Sequence, residues 1–153
     1  MRVILAAALL AGCVVQHQYP PYGDDDGWSP PPPGAYGCTQ DSECSDPDLV
    51  CTRTHECLPT DQVRAVHVLW TVGGQTASAN TCTTTPDLGV EFIDDTGYHF
   101  GYAPVPCMEG RFNVDKMPTR FATAELGVHD GPGWTDEIID PETGNAQFDI
   151  VSQ

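Results

Sequence analysis

Val63-Arg64-Ala65-Val66-His67-Val68-Leu69-Trp70-Thr71-Val72-Gly73-Gly74 carries apolar residues at every second position, Val66, Val68, Trp70 and Val72, before a double-glycine stop. Successive side chains of a strand point to opposite faces, so these four form one apolar face. The residues that follow repeat the texture. Leu88, Val90 and Phe92 alternate up to the turn Asp94-Asp95-Thr96-Gly97, and Tyr98, Phe100 and Tyr102 form a set stopped by Pro104 and Pro106. Phe112 and Val114 follow a turn at Gly110. Ala122, Ala124, Leu126 and Val128 then run up to Asp130-Gly131-Pro132-Gly133. Segments 134–139 and 147–151 read as the last strands, on either side of Asp140-Pro141-Glu142-Thr143-Gly144, with Trp134 expected in the core. Period-two runs between Gly, Pro and Asp clusters predict an all-β unit over residues 60–153. About seven short strands in roughly 90 residues suit an antiparallel two-sheet sandwich.

Within that unit, Gly110-Arg111-Phe112-Asn113-Val114, the Met117-Pro118 turn and the run to Val128-His129-Asp130-Gly131 resemble the carboxypeptidase-regulatory or transthyretin-like sandwich. Thr119-Arg120-Phe121 stands where that family has Gly-x-Tyr, so fibronectin-like and immunoglobulin-like sandwiches remain open. None of these folds specifies an activity.

Residues 38–59 have another character. Cys38, Cys44, Cys51 and Cys57 are spaced Cys-x5-Cys-x6-Cys-x5-Cys, and only Leu49, Val50 and Leu58 are aliphatic. So little apolar surface cannot build a core, and two disulfides are expected to hold the segment. Four cysteines allow three pairings. The run Cys38-Thr39-Gln40-Asp41-Ser42-Glu43-Cys44 with the two later cysteines resembles small knots of the Dickkopf N-terminal or whey-acidic type. That resemblance implies the interleaved pairing, Cys38 with Cys51 and Cys44 with Cys57. In the following unit Cys82 and Cys107 are the only cysteines, and they are expected to pair.

Residues 13–37 read as a tether. From position 14 the segment has six prolines, no Lys or Arg, and Asp24-Asp25-Asp26. Pro30 to Pro33 are consecutive, which favours an extended polyproline helix. Residues 1–12 read as a secretory signal: Arg2, then an apolar stretch, then small residues. The 13-residue apolar run 3–15 is shorter than the roughly 20 residues a spanning helix needs. Leu10-Ala11-Gly12-Cys13 resembles the lipobox of bacterial lipoproteins at all four positions. The resemblance implies diacylation of the Cys13 sulfur, cleavage before it, and a lipid anchor in the bacterial cell envelope, at the outer membrane. Cysteine parity agrees: seven cysteines less Cys13 leave six.

The chain of 153 residues carries 22 acidic and 6 basic side chains; beyond Arg2 the formal charge is −17. Such a surface repels phosphate backbones, which excludes nucleic acid as a partner. It also leaves anchoring to the lipid. No Cys-x-x-Cys, His-x-x-x-His, Gly-x-Ser-x-Gly or phosphate loop is present among the motifs, and the histidines 17, 55, 67, 99 and 129 lack ligand spacing. No catalytic residue, metal or cofactor is therefore expected. Asp94-Asp95 reads as turn chemistry more readily than as a calcium ligand set. The reading of the whole is a non-enzymatic lipoprotein: an anchored binding or structural module for a protein or glycan ligand. Its rivals are an envelope hydrolase using loop carboxylates and a calcium-stabilised adhesin-like module.

Overall fold

A computed structural model describes residues 37–151. The signal segment, Cys13 and the tether as far as residue 36, including His17, Asp24-Asp25-Asp26 and Trp28, lie outside the described residues. The chain enters through a 3-10 turn at Asp41–Glu43, then a two-stranded antiparallel ribbon, β1 (Leu49–Cys51) and β2 (Cys57–Pro59). Disulfides Cys38–Cys51 and Cys44–Cys57 interleave across it. With few apolar side chains to bury, these bonds hold the knot by restricting the unfolded chain.

A short turn, Thr60–Gln62, leads into β3 (Val63–Val72), the longest strand. Its period-two pattern is realised: Val66, Val68, Trp70 and Val72 are buried while the residues between them are not. β3 is central in its sheet. It pairs on one side with β7 (Arg111–Pro118) and the two-residue β4 (Gln75–Thr76), and on the other with β10 (Asn145–Ile150). The second sheet has the order β6 (His99–Pro106), β5 (Asp87–Asp94), β8 (Phe121–Val128), β9 (Thr135–Ile138). Side chains from both sheets form one core, with Phe92, Phe121, Leu88 and Met117 fully enclosed. The architecture is mainly β, a disulfide knot followed by a sandwich with seven strands of four or more residues among those described. One pair departs from antiparallel: β10 runs parallel to β3. The turn at residues 140–144 carries the chain from one sheet to the other, so β10 meets a strand distant in sequence and needs no hairpin to do so.

Three register shifts move the core set away from strict alternation. Between Leu88 and Val90, β6 supplies an extra residue, so Tyr102 and Val105 both oppose inward positions of β5. β6 continues through Pro104 to Pro106 where the sequence predicted a stop. It is an edge strand, on which a proline costs no ladder bond. Opposite Asp94, β8 bulges at Ala122, and Phe121 takes the core place expected of Ala122, which is exposed. The third shift lies in β7 and positions the site described below.

Trp134 is a correction. It precedes β9 instead of lying within it, is 37% exposed, and sits on the outer face of the second sheet. Gly89 and Gly127 are cross-strand partners, and a Cβ on either would meet the indole at 2.5 Å. The two glycines leave the slot that the ring fills. All four residues of β9 are exposed, and the core residue of this segment is Ile139, just beyond the strand.

Trp70 is 4% exposed and its indole N–H donates to the Cys107 carbonyl at 2.7 Å. Truncating a buried Trp costs about 3–5 kcal/mol. Trp70→Ala is expected to lower Tm by roughly 15 °C or more in a domain of this size. Trp134→Ala, on the outer face, is expected to shift it far less. Thermal denaturation followed by circular dichroism compares the two, and a silent Trp70 would contradict the core assigned here.

Candidate functional site

The cleft between knot and sandwich is built by a bulge. Register pairs Arg64 with Met117 but Val66 with Val114, so Ala65 faces two residues of β7, Asp115 and Lys116. Lys116 takes a left-handed backbone conformation, φ 51°, at which a side chain costs roughly 1–2 kcal/mol. A bulge re-aims side chains and bends its strand. Here it turns both residues toward the knot. The Lys116 ammonium donates to both Asp41 oxygens at 2.7 Å, and its backbone carbonyl accepts the Arg53 N–H at 3.2 Å. Asp115 pairs with the Arg53 guanidinium, whose Nε lies 2.8 Å away. Asp41 also accepts the Cys51 N–H at 2.9 Å. The Lys116 bond, and after it this backbone bond, hold the Asp41 carboxyl below the usual range.

Arg120 makes the second clamp. Its guanidinium reaches Glu56 of the knot at 2.6 Å and Asp94 of the sandwich at 3.3 Å, and lies over the Phe121 ring at 5.2 Å. Asp94 is the anchor of the β5–β6 turn. One oxygen accepts from the Thr96 hydroxyl (2.6 Å), the Thr96 N–H (2.8 Å) and the Tyr98 N–H (2.9 Å). Those bonds, with the Thr96 hydroxyl foremost and Arg120 assisting, hold its carboxyl at about 2 against the cost of burial. The turn reading of Asp94-Asp95 therefore holds in the structure.

Between the knot and the β6 edge lies a cleft of about 320 Å³. Its floor is Phe100, Gly101 and Tyr102, and its rim carries Asp41, Arg53, Asp115 and Lys116. Tyr102 packs against Phe100 (5.3 Å between ring centres) and Phe112 (4.9 Å). Burial pushes its phenol up to about 12, so the ring meets the cleft as a neutral hydroxyl. The arrangement offers an aromatic floor below alternating positive and negative groups. It can stack a ring and hydrogen-bond polar substituents. Both rim carboxylates are exposed and paired with a cation, Asp41 with Lys116 and Asp115 with Arg53.

The structure pairs Cys82 with Cys107 as well as closing the two knot bridges. The sulfurs of Cys38, Cys44 and Cys57 lie close together, but all three are in disulfides and supply no thiolate. Among the histidines, His55 contacts the Cys38 carbonyl (3.0 Å), His67 the Asn113 amide oxygen (2.7 Å), His99 the Glu91 carboxylate (2.9 Å) and His129 the Asp130 carboxylate (3.5 Å). Sequence reasoning placed Phe100 and Tyr102 on a strand and weighed His55 as a ligand, but gave Asp41, Arg53, Asp115 and Lys116 no part in a site. The one available signal was the scarcity of cations, since Arg53, Lys116 and Arg120 are three of only five beyond Arg2. Comparison with protein-family models, with curated proteins and with solved structures finds no match to this chain.

Two outcomes follow. Exposed ion pairs weaken with salt as the Debye length falls from about 10 Å at 0.1 M to about 3 Å at 1 M. Arg120→Met or 1 M salt is expected to speed hydrogen exchange in residues 38–59 and leave β3 protected; unchanged exchange would show that the clamps do not hold the knot. The Asp94 carboxyl is depressed in the fold, so its stabilisation is complete above the ordinary carboxylate range near 4 and is lost as pH falls through about 2. Asp94→Asn is expected to lower Tm at pH 6 and to flatten the acid limb of a Tm-against-pH curve.

Proposed function

We propose that the protein is an exported, lipid-anchored, non-catalytic module of the bacterial cell envelope that binds a glycan in the cleft between knot and sandwich. The observation that carries export and anchoring is the disulfide count. All six cysteines after Cys13 are consumed in three bridges. Such bridges persist only in an oxidising compartment. Cys13, behind a secretory segment and in a lipobox-like run, is left without a cysteine partner in the chain. Among the described residues no helix is long and apolar enough to cross a membrane, and a lipid on Cys13 would attach this acidic chain to the bilayer.

The binding role rests on the cleft. Aromatic faces beside charged hydrogen-bonding groups suit sugar rings, which present apolar faces and hydroxyl edges. The Phe100–Tyr102 floor and the Arg53 and Asp115 rim match that chemistry. Hydrolysis would need a carboxylate able to take or give a proton, and the rim carboxylates are engaged by Arg53 and Lys116. The resemblances to lipoproteins and to small extracellular knots support the same placement.

Two measurements test this. Fractionation and intact-mass analysis of the wild type are expected to show an acylated chain beginning at Cys13 in the membrane fraction, and Cys13→Ser is expected to be soluble. A mature chain beginning elsewhere, or without acyl mass, would refute the anchor. Envelope glycan fragments are expected to shift amide resonances of residues 39–41, 51–55, 100–102 and 115–116, weakly in Arg53→Ala, with the glycan recovered intact. Turnover abolished by a single Asp or Glu substitution would establish the enzyme instead.

A further inference from the structure

The outer face of the second sheet holds a different set of residues. β5 and β8 place Glu91 directly opposite Glu125, and β8 and β9 place Glu125 directly opposite Asp136. Three carboxylates thus stand in one row on three adjacent strands. Directly opposed like charges destabilise a sheet. The positions around the row, Gly101, Ile93, Thr123 and Ile138, supply no Lys or Arg. The nitrogen ligand beside the row is His99 of β6, whose Nδ1 lies 2.9 Å from the Glu91 carboxylate. Ligand-capable atoms of Glu91, His99 and Glu125 all lie within 4.8 Å of one another.

The surroundings suit a bound ion. Gly101 faces Glu91 across β5 and β6, and a Cβ there would come within 2.9 Å of the Glu91 Cγ, so the glycine leaves the carboxylate room to turn toward its neighbours. Glu91 and Glu125 are half-buried, while His99 is open to solvent and gives entry. Glu125 stands half-buried between Glu91 and Asp136, with a carboxylate directly opposite it on each side. A cation at the cluster would relieve both the desolvation and the repulsion.

We propose that Glu91, His99 and Glu125 form a binding site for a divalent transition-metal ion such as Zn²⁺, with Asp136 beside them at the end of the row. One imidazole nitrogen and two carboxylates are a borderline donor set. Calcium and magnesium prefer oxygen alone, whereas an imidazole draws zinc and its neighbours in the first transition row. The imidazole binds in its neutral form, so an occupied site releases any proton held between His99 and Glu91. Three protein donors on an open sheet leave a further position for water or for a ligand atom from outside. The site lies on the outer sheet face and is independent of the glycan reading of the cleft.

The test is a titration of Zn²⁺ against a chromophoric chelator, using the full exported chain with its disulfides verified intact by thiol assay. One equivalent is expected to bind, with Ca²⁺ and Mg²⁺ failing to displace it. His99→Ala is expected to weaken binding about 100-fold or more, since loss of an outer-shell partner alone costs 10–100-fold. Glu125→Gln is expected to weaken it similarly, and His67→Ala to leave it unchanged. In chelator, Glu125→Gln is expected to melt at or above the wild type because it relieves like charges, which also shows that the variant folds. Absence of a stoichiometric site, zinc binding that survives His99→Ala, or displacement by Ca²⁺ would each overturn the proposal. So would a Glu125→Gln protein that melts below the wild type without metal.

Discussion

Positive charge is the scarce resource of this molecule, and its placement governs how the two folded parts meet. Only five Lys or Arg side chains follow Arg2, against 22 carboxylates. Arg53, Lys116 and Arg120 all stand at the junction of knot and sandwich. The knot has almost no apolar surface to contribute, so hydrophobic docking is closed to it. Ion pairs replace that force: Arg53–Asp115, Lys116–Asp41 and Arg120–Glu56 each link a knot residue to a sandwich residue. The bulge opposite Ala65 makes this possible by turning two consecutive residues of β7 outward together, one acidic and one basic. Without it Asp115 and Lys116 would point to opposite faces of the strand. The cleft lies where the knot meets the edge of the sandwich beside β6, with the charged pairs at its rim and Phe100 and Tyr102 at its floor.

How much of this was legible in the residues depends on what each part is made of. β3 could be read directly, because Val66 to Val72 alternates over a strand with partners on both sides and no irregularity in that half. The knot was legible as a disulfide unit from composition alone, and its pairing came by resemblance, since spacing leaves three pairings open. Ala122 and Phe121 show where alternation fails: one extra residue reverses the parity of everything beyond it, and nothing local in Thr119-Arg120-Phe121-Ala122 announces the shift. Pro104 looked like a terminator because a proline in an interior strand would be one. Edge position, a property of the whole sheet, removes that objection. Trp134 was misplaced for a related reason. The slot it fills is made by Gly89 and Gly127, 45 and 7 residues away in sequence, and exists only once their strands are paired.

The same principle hid the chemistry. Glu91, His99, Glu125 and Asp136 carry no motif, being ordinary outward positions of four different strands. Register, which is a consequence of the inward face, decides what the outward face brings together. Leu88, Val90 and Phe92 must face the core, so Glu91 must face out; Ala124 and Leu126 do the same for Glu125. Selection on the core thus sets the spacing of the surface row, and a change of register in β8 would disperse it while leaving composition untouched.

The two faces of the molecule meet their charges by opposite means, and the contrast bears on what each can do. At the junction the four carboxylates named share three cations, with Arg120 serving both Glu56 and Asp94, and the aromatic floor lies beside these pairs. On the outer sheet the row has one imidazole for three carboxylates, and the paired positions around it supply no Lys or Arg. Carboxylates scattered over separate positions would not face one another in this way. Holding three in register on paired strands opposes the stability of the sheet that carries them. A compensating cation from solution resolves that opposition without altering the fold, and the imidazole determines which kind of cation the site prefers.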